Sequence, residues 1–486
     1  MRGGVVTGLV LVVAALVVRY QGPQSAAAPA LTPSTPGPAA RLTDVHAGLL
    51  YGRLTAIDGT SYEGRLRWGR DQEAFWSDYF NGAKAGNPWS AYAAAHEDQN
   101  PVEIFGFTIG GRDHGNSLRR LFLARFGDIA HIDAHFRDVQ VRLKSGTVVA
   151  LDRFAAGDID DGVRVWDITR GIVDLDTRQI RSIDFLAAPS TVTAPDRLRG
   201  RVRTRDGAFS GLIQWDQQGS IGADELRGRT AGGEVRLRYD SISSIARSSP
   251  DTALVTLLDG SEMVLSGDRG VGHDNRGVYV DDGRYGRVLI SWDAFARVDF
   301  TANGIGPAYD HYSPGHALAG RVSTRDGRRL TGRLVCDFDE SETTETLDAA
   351  IAGVDYNIPF SLIRSVVRDG GDGRGAPHAT VILNDGEALQ LERTGDLGDR
   401  NAGILIFADG RERPENVLWA DVAQIDFFDS AGGHRGEAPQ LESASIRHVG
   451  RHSASVDVEV THATEMVRVH PRPHRRRIPR MRRVRE

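Results

Sequence analysis

The sequence predicts an all-β fold, on three observations. Asp-Gly pairs at 58–59, 206–207 and 326–327 each lie between runs of alternating apolar and polar residues, a pattern typical of β-hairpins. Glycine is abundant, at 56 of 486 residues, as expected for a chain with many tight turns. Signals for helix starts and stops are almost absent outside residues 48–186. We therefore expect short strands joined by tight turns.

The three hairpins belong to a repeated phrase. It reads "YGRLTAIDGTSYEGRLRW", "GRVRTRDGAFSGLIQWD" and "GRVSTRDGRRLTGRLVCD". A glycine follows each Asp-Gly pair after four or five residues, and the residue four positions beyond is Trp68, Trp215 or Cys336. Each hairpin leads to a strand–turn–strand phrase, at 124–134, 237–247 and 358–368. Hairpin and phrase together are named the A half.

A second half follows each A half and resembles it. These B halves open on hairpins that pivot at Gly146, Gly260 and Gly386, and they close on an apolar-Asp-Phe triplet at 183–185, 298–300 and 425–427. The chain therefore divides into three tandem A+B units: unit 1 at 48–186, unit 2 at 197–301 and unit 3 at 317–429. Each half is a module of about 50 residues, which gives six modules.

The modules resemble known small barrels. The phrase with Asp-Gly and a later glycine resembles the first hairpin of Sm-like barrels, and the strand–turn–strand phrase is similar to the last strands of SH3-like and PRC-barrel modules. The arrangement also resembles secreted bacterial repeat proteins without an assigned activity. This resemblance implies six small SH3/Sm-like β-barrels. A six-bladed β-propeller is the alternative, because about 50 residues with four strands also fits one blade.

RNA binding does not follow from the Sm-like resemblance. Sm-like proteins bind RNA through an apolar-Arg-Gly motif just before the final strand, and here that place holds "RYDSI" or "PFSLI". We expect no specific nucleic-acid partner.

Both ends of the chain differ from the repeats. Residues 1–28 combine Arg2, a 14-residue apolar run from Val5 to Val18 and small residues at 25–28, the layout of a signal peptide. Residues 29–47 read as a disordered Pro/Ala linker, and 430–486 as a disordered tail rich in arginine. We expect an extracytoplasmic protein, in the periplasm, the cell envelope or the medium, that does not span the membrane after signal removal. An uncleaved anchor is the alternative.

An aromatic insertion at 69–123 interrupts unit 1. Nine aromatic residues occur in the 40 residues from Trp68 to Phe107, and units 2 and 3 lack this segment. Because loops on rigid β-scaffolds commonly carry function, we predict a glycan- or protein-binding surface here. Its predicted residues are Phe75, Trp76, Tyr79, Phe80, Trp89 and Tyr92. A local mini-core is the alternative. The stretch "EAFWSDYF" at 73–80 predicts a short helix that ends at Asn81-Gly82.

The sequence offers few candidates for catalysis or cofactors. Cys336, the only cysteine, excludes intramolecular disulfides and occupies the hairpin position of Trp68 and Trp215, so we predict no nucleophile there. Acid-rich loops at 157–162, 280–283 and 337–345 lack EF-hand spacing. We expect no metal or other cofactor, with Ca²⁺ as the alternative, and we predict no catalytic residue.

These observations favour a non-enzymatic repeat scaffold. Its predicted partner is a cell-envelope polymer or protein, held by the aromatic insertion. The alternative is an extracytoplasmic hydrolase with a site beside the insertion in unit 1.

Overall fold

The all-β prediction is confirmed. The computed structural model describes residues 48–69, 72–75, 78–89, 92, 102–104, 107–109, 121–135, 138–152, 162–189, 196–267, 270–301, 307–368, 378–411 and 413–428. Their strands form antiparallel sheets of eight, twelve and eight strands and two two-stranded hairpins. Helical segments in these ranges are 3₁₀ turns of three residues. The predicted signal peptide at 1–28, the linker at 29–47 and the tail at 430–486 lie outside the described residues.

The described residues of unit 1 form twelve strands. They are β1 (Tyr51–Ala56), β2 (Ser61–Trp68), β3 (Tyr79–Ala83), β4 (Val102–Ile104), β5 (Phe107–Ile109), β6 (Leu121–Arg125), β7 (Ile129–Ala134), β8 (Asp138–Leu143), β9 (Val148–Asp152), β10 (Val163–Asp167), β11 (Gly171–Leu175) and β12 (Ile180–Phe185). The 3₁₀ turns Phe126–Asp128 and Thr177–Gln179 precede β7 and β12.

In unit 2 the described residues form ten strands. They are β13 (Arg199–Thr204), β14 (Ala208–Trp215), β15 (Glu225–Thr230), β16 (Gly233–Arg238), β17 (Ile242–Ser249), β18 (Thr252–Leu257), β19 (Glu262–Ser266), β20 (Val278–Asp282), β21 (Gly286–Ile290) and β22 (Phe295–Phe300). The 3₁₀ turn Tyr239–Ser241 precedes β17, and a second one, Tyr309–His311, lies between units 2 and 3.

The part of unit 3 that the structure describes has another ten strands. They are β23 (Ala319–Thr324), β24 (Arg329–Cys336), β25 (Thr346–Ile351), β26 (Val354–Pro359), β27 (Ile363–Arg368), β28 (His378–Leu383), β29 (Ala388–Glu392), β30 (Ile404–Phe407), β31 (Glu415–Val417) and β32 (Val422–Phe427). Its 3₁₀ turns are Phe360–Leu362, Gly395–Leu397 and Trp419–Asp421.

One strand order occurs three times. It is β11-β10-β2-β1-β12-β7-β8-β9 in unit 1, β21-β20-β14-β13-β22-β17-β18-β19 in unit 2 and β31-β30-β24-β23-β32-β27-β28-β29 in unit 3. The pairing crosses the boundary between the halves, because β1 and β2 of the A half pair with β12 and β10 of the B half. In unit 2 the A-half strand β15 also pairs with β19 of the B half. The two halves of a unit are therefore interleaved by strand exchange.

The glycines of the repeated phrase permit this exchange. A Cβ added at Gly64 on β2 would lie 1.9 Å from the carbonyl oxygen of Trp166 on β10. The corresponding distance is 1.8 Å from Gly211 to the carbonyl oxygen of Asp281 and 2.4 Å from Gly332 to that of Phe407. A side chain at these positions would force the two backbones apart. The phrase recurs because each unit needs this close approach of A-half and B-half strands.

The helix predicted at 73–80 is wrong. Residues 79–83 form β3, which pairs with β6 from Tyr79 opposite Arg125 to Ala83 opposite Leu121. Before the strand, both Glu73 and Ala74 donate their backbone N–H groups to the carboxylate of Asp78, at 2.7 and 2.8 Å. The apolar spacing that predicted a helix instead places Phe75 and Phe80 in the core of unit 1.

One hairpin of unit 3, β25–β26, joins the sheet of unit 2, and the two units share one core. The strand β26 of unit 3 pairs with β21 of unit 2, which extends the sheet of unit 2 to twelve strands. Their buried side chains form one continuous cluster. Unit 1 has a separate core, which is completed by Tyr309 from the segment between units 2 and 3.

Candidate functional site

Five of the six residues predicted for the aromatic surface are described, and they divide into two groups. Phe75, Tyr79 and Phe80 are buried, with at most 2% of each residue exposed. Phe80 contacts Trp68 with ring centroids 5.3 Å apart, and Phe75 contacts Tyr309 at 4.8 Å. Phe75 and Phe80 belong to the core of unit 1, the alternative to a surface, and Tyr79 is buried next to the Arg287 guanidinium of unit 2, 5.0 Å from its ring centroid. A ligand cannot contact these three side chains in this conformation. Trp76 lies outside the described residues.

Trp89 and Tyr92 lie at the surface, on a different unit from their own. The Phe407 ring of β30 is 5.7 Å from the Trp89 ring and 5.9 Å from the Tyr92 ring, and both pairs meet edge to face. The Arg333 guanidinium of β24 lies 4.2 Å from the Phe407 centroid and 5.2 Å from that of Trp89. Tyr92 is 40% exposed. We name Trp89, Tyr92, Arg333 and Phe407 the aromatic junction.

The sheet of unit 3 presents two members of the junction. Arg333 and Phe407 are direct partners in the pairing of β24 with β30. Because side chains alternate along a strand, Val335 and Leu405 lie on the same face, and Trp89 packs against the small cluster that they form with Phe338. Lys84, Asn87, Trp89 and Tyr92 of the insertion thus contact unit 3.

Hydrogen bonds fix the insertion on unit 3. The Asn87 side chain donates to the carbonyl oxygen of Phe338 at 2.7 Å and accepts from the backbone N–H of Trp89 at 2.8 Å. Lys84 donates to Asp339 at 2.6 Å and to Glu345 at 3.2 Å. The aromatic junction therefore lies next to a contact between units 1 and 3 that buried ion pairs of Lys84 stabilise.

The charge state of this contact follows from its surroundings. Burial lowers the pKa of Lys84, but Asp339 and Glu345 raise it by more, so the pKa stays above its usual value and the amine stays protonated. Burial raises the pKa of Glu340, and the neighbouring acids Asp396 and Asp339 raise it further. Lys84 is thus the cation that offsets a concentration of acids on unit 3.

Unit 1 repeats part of the aromatic junction. Arg65 on β2 and Trp166 on β10 occupy the positions of Arg333 and Phe407 in the repeat, and the Arg65 guanidinium lies 3.6 Å from the Trp166 centroid. No counterpart of Trp89 or Tyr92 packs there among the described residues. The pair of Arg65 and Trp166 is therefore a natural comparison for the junction.

A second charged cluster lies beside the insertion. A small cavity between units 1 and 2 is lined by Asp78, Arg197, Leu212, Ile213, Gln214, Tyr279, Asp281 and Arg287. Loss of solvent raises the pKa of Asp281 to about 6, although Arg125 and Arg287 lower it. Arg197 donates to Asp78 at 3.2 Å. We name Asp78, Arg197, Asp281 and Arg287 the polar junction.

The sequence also raised Cys336 and the acid-rich loops as candidates for chemistry. Cys336 is buried, and burial raises the pKa of its thiol, which suppresses the reactive thiolate. No cluster of three or more His, Cys, Asp or Glu side chains in the described ranges is suited to holding a metal ion. Those ranges exclude 157–161, where one of the acid-rich loops lies. Across the described part of the chain, no helix is long and apolar enough to cross a membrane.

Sequence reasoning singled out Trp89 and Tyr92 but missed Arg333 and Phe407. The missing signal was available in the repeat, because an arginine three residues before Trp68 and three before Cys336 marks the same position. Comparison with known proteins adds no further residue, since the chain matches no protein-family model and no curated protein.

Proposed function

We propose that the protein is a non-enzymatic, extracytoplasmic repeat scaffold that binds a cell-envelope glycan through the aromatic junction. The observation that carries the proposal is that Trp89 and Tyr92 both pack against Phe407, and Arg333 lies over the Phe407 and Trp89 rings. Aromatic faces stack on the apolar faces of sugar rings, and the guanidinium can donate to hydroxyl or carboxylate groups of the same polymer. A protein segment rich in proline or aromatic residues is the competing ligand.

The proposed architecture is three tandem units, each made of two SH3/Sm-like modules, so that the chain has six modules. The threefold recurrence of one strand order supports it, and the exchange of strands between halves is its new element. Sheets of eight and twelve strands weigh against a propeller, whose blades are separate four-stranded sheets. A rigid array of this kind presents a loop-borne surface at low entropic cost.

The proposed location rests on the signal-like segment at 1–28. Export would place the arginine-rich tail at 430–486 close to anionic envelope polymer. Removal of 1–28 on secretion, read as the N-terminal sequence of the purified protein, supports this location, whereas retention of Met1 supports an anchor.

Binding to isolated peptidoglycan and to soluble envelope polysaccharides tests the function. Tyr92→Ala should lower the affinity about tenfold, because it removes one stacking face. Trp166→Ala is the matched control, since it removes an Arg-stacked aromatic side chain at the equivalent repeat position. Binding that is unchanged in Tyr92→Ala, or equally weakened in Trp166→Ala, contradicts the proposal. Binding to peptides but not to glycans would assign a protein ligand.

A hydrolase with its site at the polar junction is the second candidate. It is favoured by two carboxylates that line one cavity, Asp78 of the insertion and Asp281 of unit 2, and the pKa of Asp281 is raised to about 6, a value suited to a general acid. Asp78, however, already accepts two backbone N–H groups and Arg197, as a structural carboxylate does. Hydrolysis of envelope polymer by the wild type that is lost in Asp281→Asn would favour the enzyme.

A further inference from the structure

Two edge strands have repeat equivalents that pair with each other. In the common strand order, β11 of unit 1 corresponds to β21 of unit 2. The hairpin β15–β16 of unit 2 corresponds to β25–β26 of unit 3, since each precedes a three-residue 3₁₀ turn, at Tyr239–Ser241 and Phe360–Leu362. The strands β21 and β26 are hydrogen-bonded neighbours, whereas β11 and β16 each end their sheet among the described residues.

The existing β21–β26 pair defines the geometry that the two edges share. Val288 lies opposite Tyr356, Arg287 opposite Asn357 and Ile290 opposite Val354 in an antiparallel register. Counting from the 3₁₀ turns, Tyr356 corresponds to Val235, and counting from the strand starts, Val288 corresponds to Val173. The same register would place Val173 opposite Val235, with Ile172 opposite Arg236.

Matched glycines show that the two edges are open. A Cβ added at Gly286 of β21 would lie 2.4 Å from Pro359 on β26, whereas one added at Gly171 of β11 would meet nothing within 4 Å. Likewise, a Cβ at Gly353, just before β26, would lie 2.7 Å from Ser291 of unit 2, whereas one at Gly232, just before β16, would meet only Thr230 of its own hairpin, at 3.6 Å. The surfaces covered at the β21–β26 contact are thus uncovered at both edges, among the described residues.

The β11 edge also carries exposed apolar side chains. Ile172 on β11 and Ile168 in the preceding turn are 63% and 74% exposed. Unpaired backbone groups next to exposed isoleucines form a template for strand addition. The strand β16 offers the alternating sequence "GEVRLR" as the complement.

We propose that β11 of one copy pairs with β16 of a second copy in the register of β21–β26. A second copy is the occupant because one chain presents both edges, and no strand of its described residues pairs with either. The contact is heterologous, so each copy keeps one free β11 and one free β16, and association continues head to tail. Asp174 and Glu234 would face each other, but each is already paired, Asp174 with Arg164 at 2.6 Å and Glu234 with Arg236 at 3.2 Å.

Engineered cysteines in the full-length chain test the register. The buried Cys336 is the only native thiol, so Val173→Cys and Val235→Cys combined should give a ladder of disulfide-linked chains on mild oxidation. The amount of linked chain should exceed that of the out-of-register pair Val173→Cys and Arg238→Cys by an order of magnitude. Equal linkage in both pairs would mean random collision and would overturn the proposal.

The single variants and the unmodified chain complete the test. Linkage in Val173→Cys alone would indicate β11–β11 pairing, and linkage in Val235→Cys alone would indicate β16–β16 pairing; either result contradicts the proposal. Sedimentation velocity of the wild type should show concentration-dependent association. Ile172→Pro should abolish that association, since proline cannot donate to a strand ladder, while Leu258→Ala, at an exposed residue of unit 2, should not. A wild type that stays monomeric together with an absent ladder rejects the inference.

Discussion

Lys84 of unit 1 donates to Asp339 of unit 3 at 2.6 Å, across 255 positions of sequence. Both side chains are more than nine-tenths buried. The chain has two lysines against 57 arginines, and the other lysine also reaches out of unit 1: Lys144 donates to the carbonyl oxygen of Tyr309 at 2.6 Å. The two lysines thus each join unit 1 to another part of the chain.

Lys84→Met should strongly destabilise the protein. The substitution leaves Asp339 buried without its cation, and loss of one partner of a buried pair costs about 3–5 kcal/mol. Urea unfolding measures the change. Arg53→Met is the matched control, because the pair of Arg53 with Glu63 is exposed and contributes about 1 kcal/mol or less. Equal free energies of unfolding for the two variants would show that the Lys84 contact is dispensable.

Gly64→Ala should also destabilise, through backbone displacement. The new methyl group would lie 1.9 Å from the Trp166 carbonyl oxygen, and both atoms belong to paired strands, so the cost should reach about 3 kcal/mol. Thermal unfolding gives the measurement. Gly86→Ala is the control, since a Cβ there meets nothing within 4 Å. If Gly64→Ala unfolds at the temperature of Gly86→Ala, the close approach of β2 and β10 is wrong.

Asp281→Asn should change how stability depends on pH. The pKa of Asp281 is raised to about 6 in the folded protein, above its ordinary value of 3.8, because solvent is excluded. The folded state therefore holds this proton more tightly than the unfolded state, and the contribution to stability is complete below about pH 4 and is lost as the pH rises through about 6. The asparagine variant should lack this decline.

Asp167→Asn should change the pH dependence of stability in the opposite direction. Hydrogen bonds from Thr169 and from the backbone of Glu63 outweigh the effect of burial and lower the pKa of Asp167 to about 2. Its contribution is present above pH 4 and is lost as the pH falls towards about 2. Urea unfolding of the wild type and of both variants, from about pH 2 to above pH 6, tests these opposite pH dependences. A wild type and Asp281→Asn with parallel pH profiles would contradict the raised pKa.

Much of the local structure could be predicted from the sequence. The Asp-Gly pairs at 58–59 and 326–327 do form hairpins, and Gly59 and Gly327 have φ values of 86° and 88°, where a side chain would be strained. The alternation of apolar and polar residues predicted the strands, because one face of each strand is buried.

The pairing of strands could not be predicted in the same way. The A and B hairpins carry the same pattern, so β2 has equally suitable partners in its own half and in the other, and alternation does not choose between them. The helix prediction at 73–80 failed because Phe75 and Phe80 are held by contacts with Tyr309 and Trp68, of which Tyr309 is more than 200 residues away. Tertiary contacts of this range leave no local signal.

The candidate site shows the same limit. Trp89 and Tyr92 stood out because they interrupt a repeat, but their partners Arg333 and Phe407 are ordinary members of one. Arg333 and Phe407 become part of a site because Trp89 and Tyr92 pack on unit 3, and the hydrogen bonds of Lys84 and Asn87 hold this part of the insertion there.

A double-mutant cycle on glycan binding tests the central claim most directly, namely that unit 1 and unit 3 form one binding surface. Tyr92→Ala and Phe407→Ala should each weaken binding to the envelope polysaccharide that the wild type retains. Because their rings are in contact, the double variant should lose less than the sum of the two single losses, with a coupling of about 1 kcal/mol. Additive losses, or binding that none of the three variants changes, would contradict a shared surface.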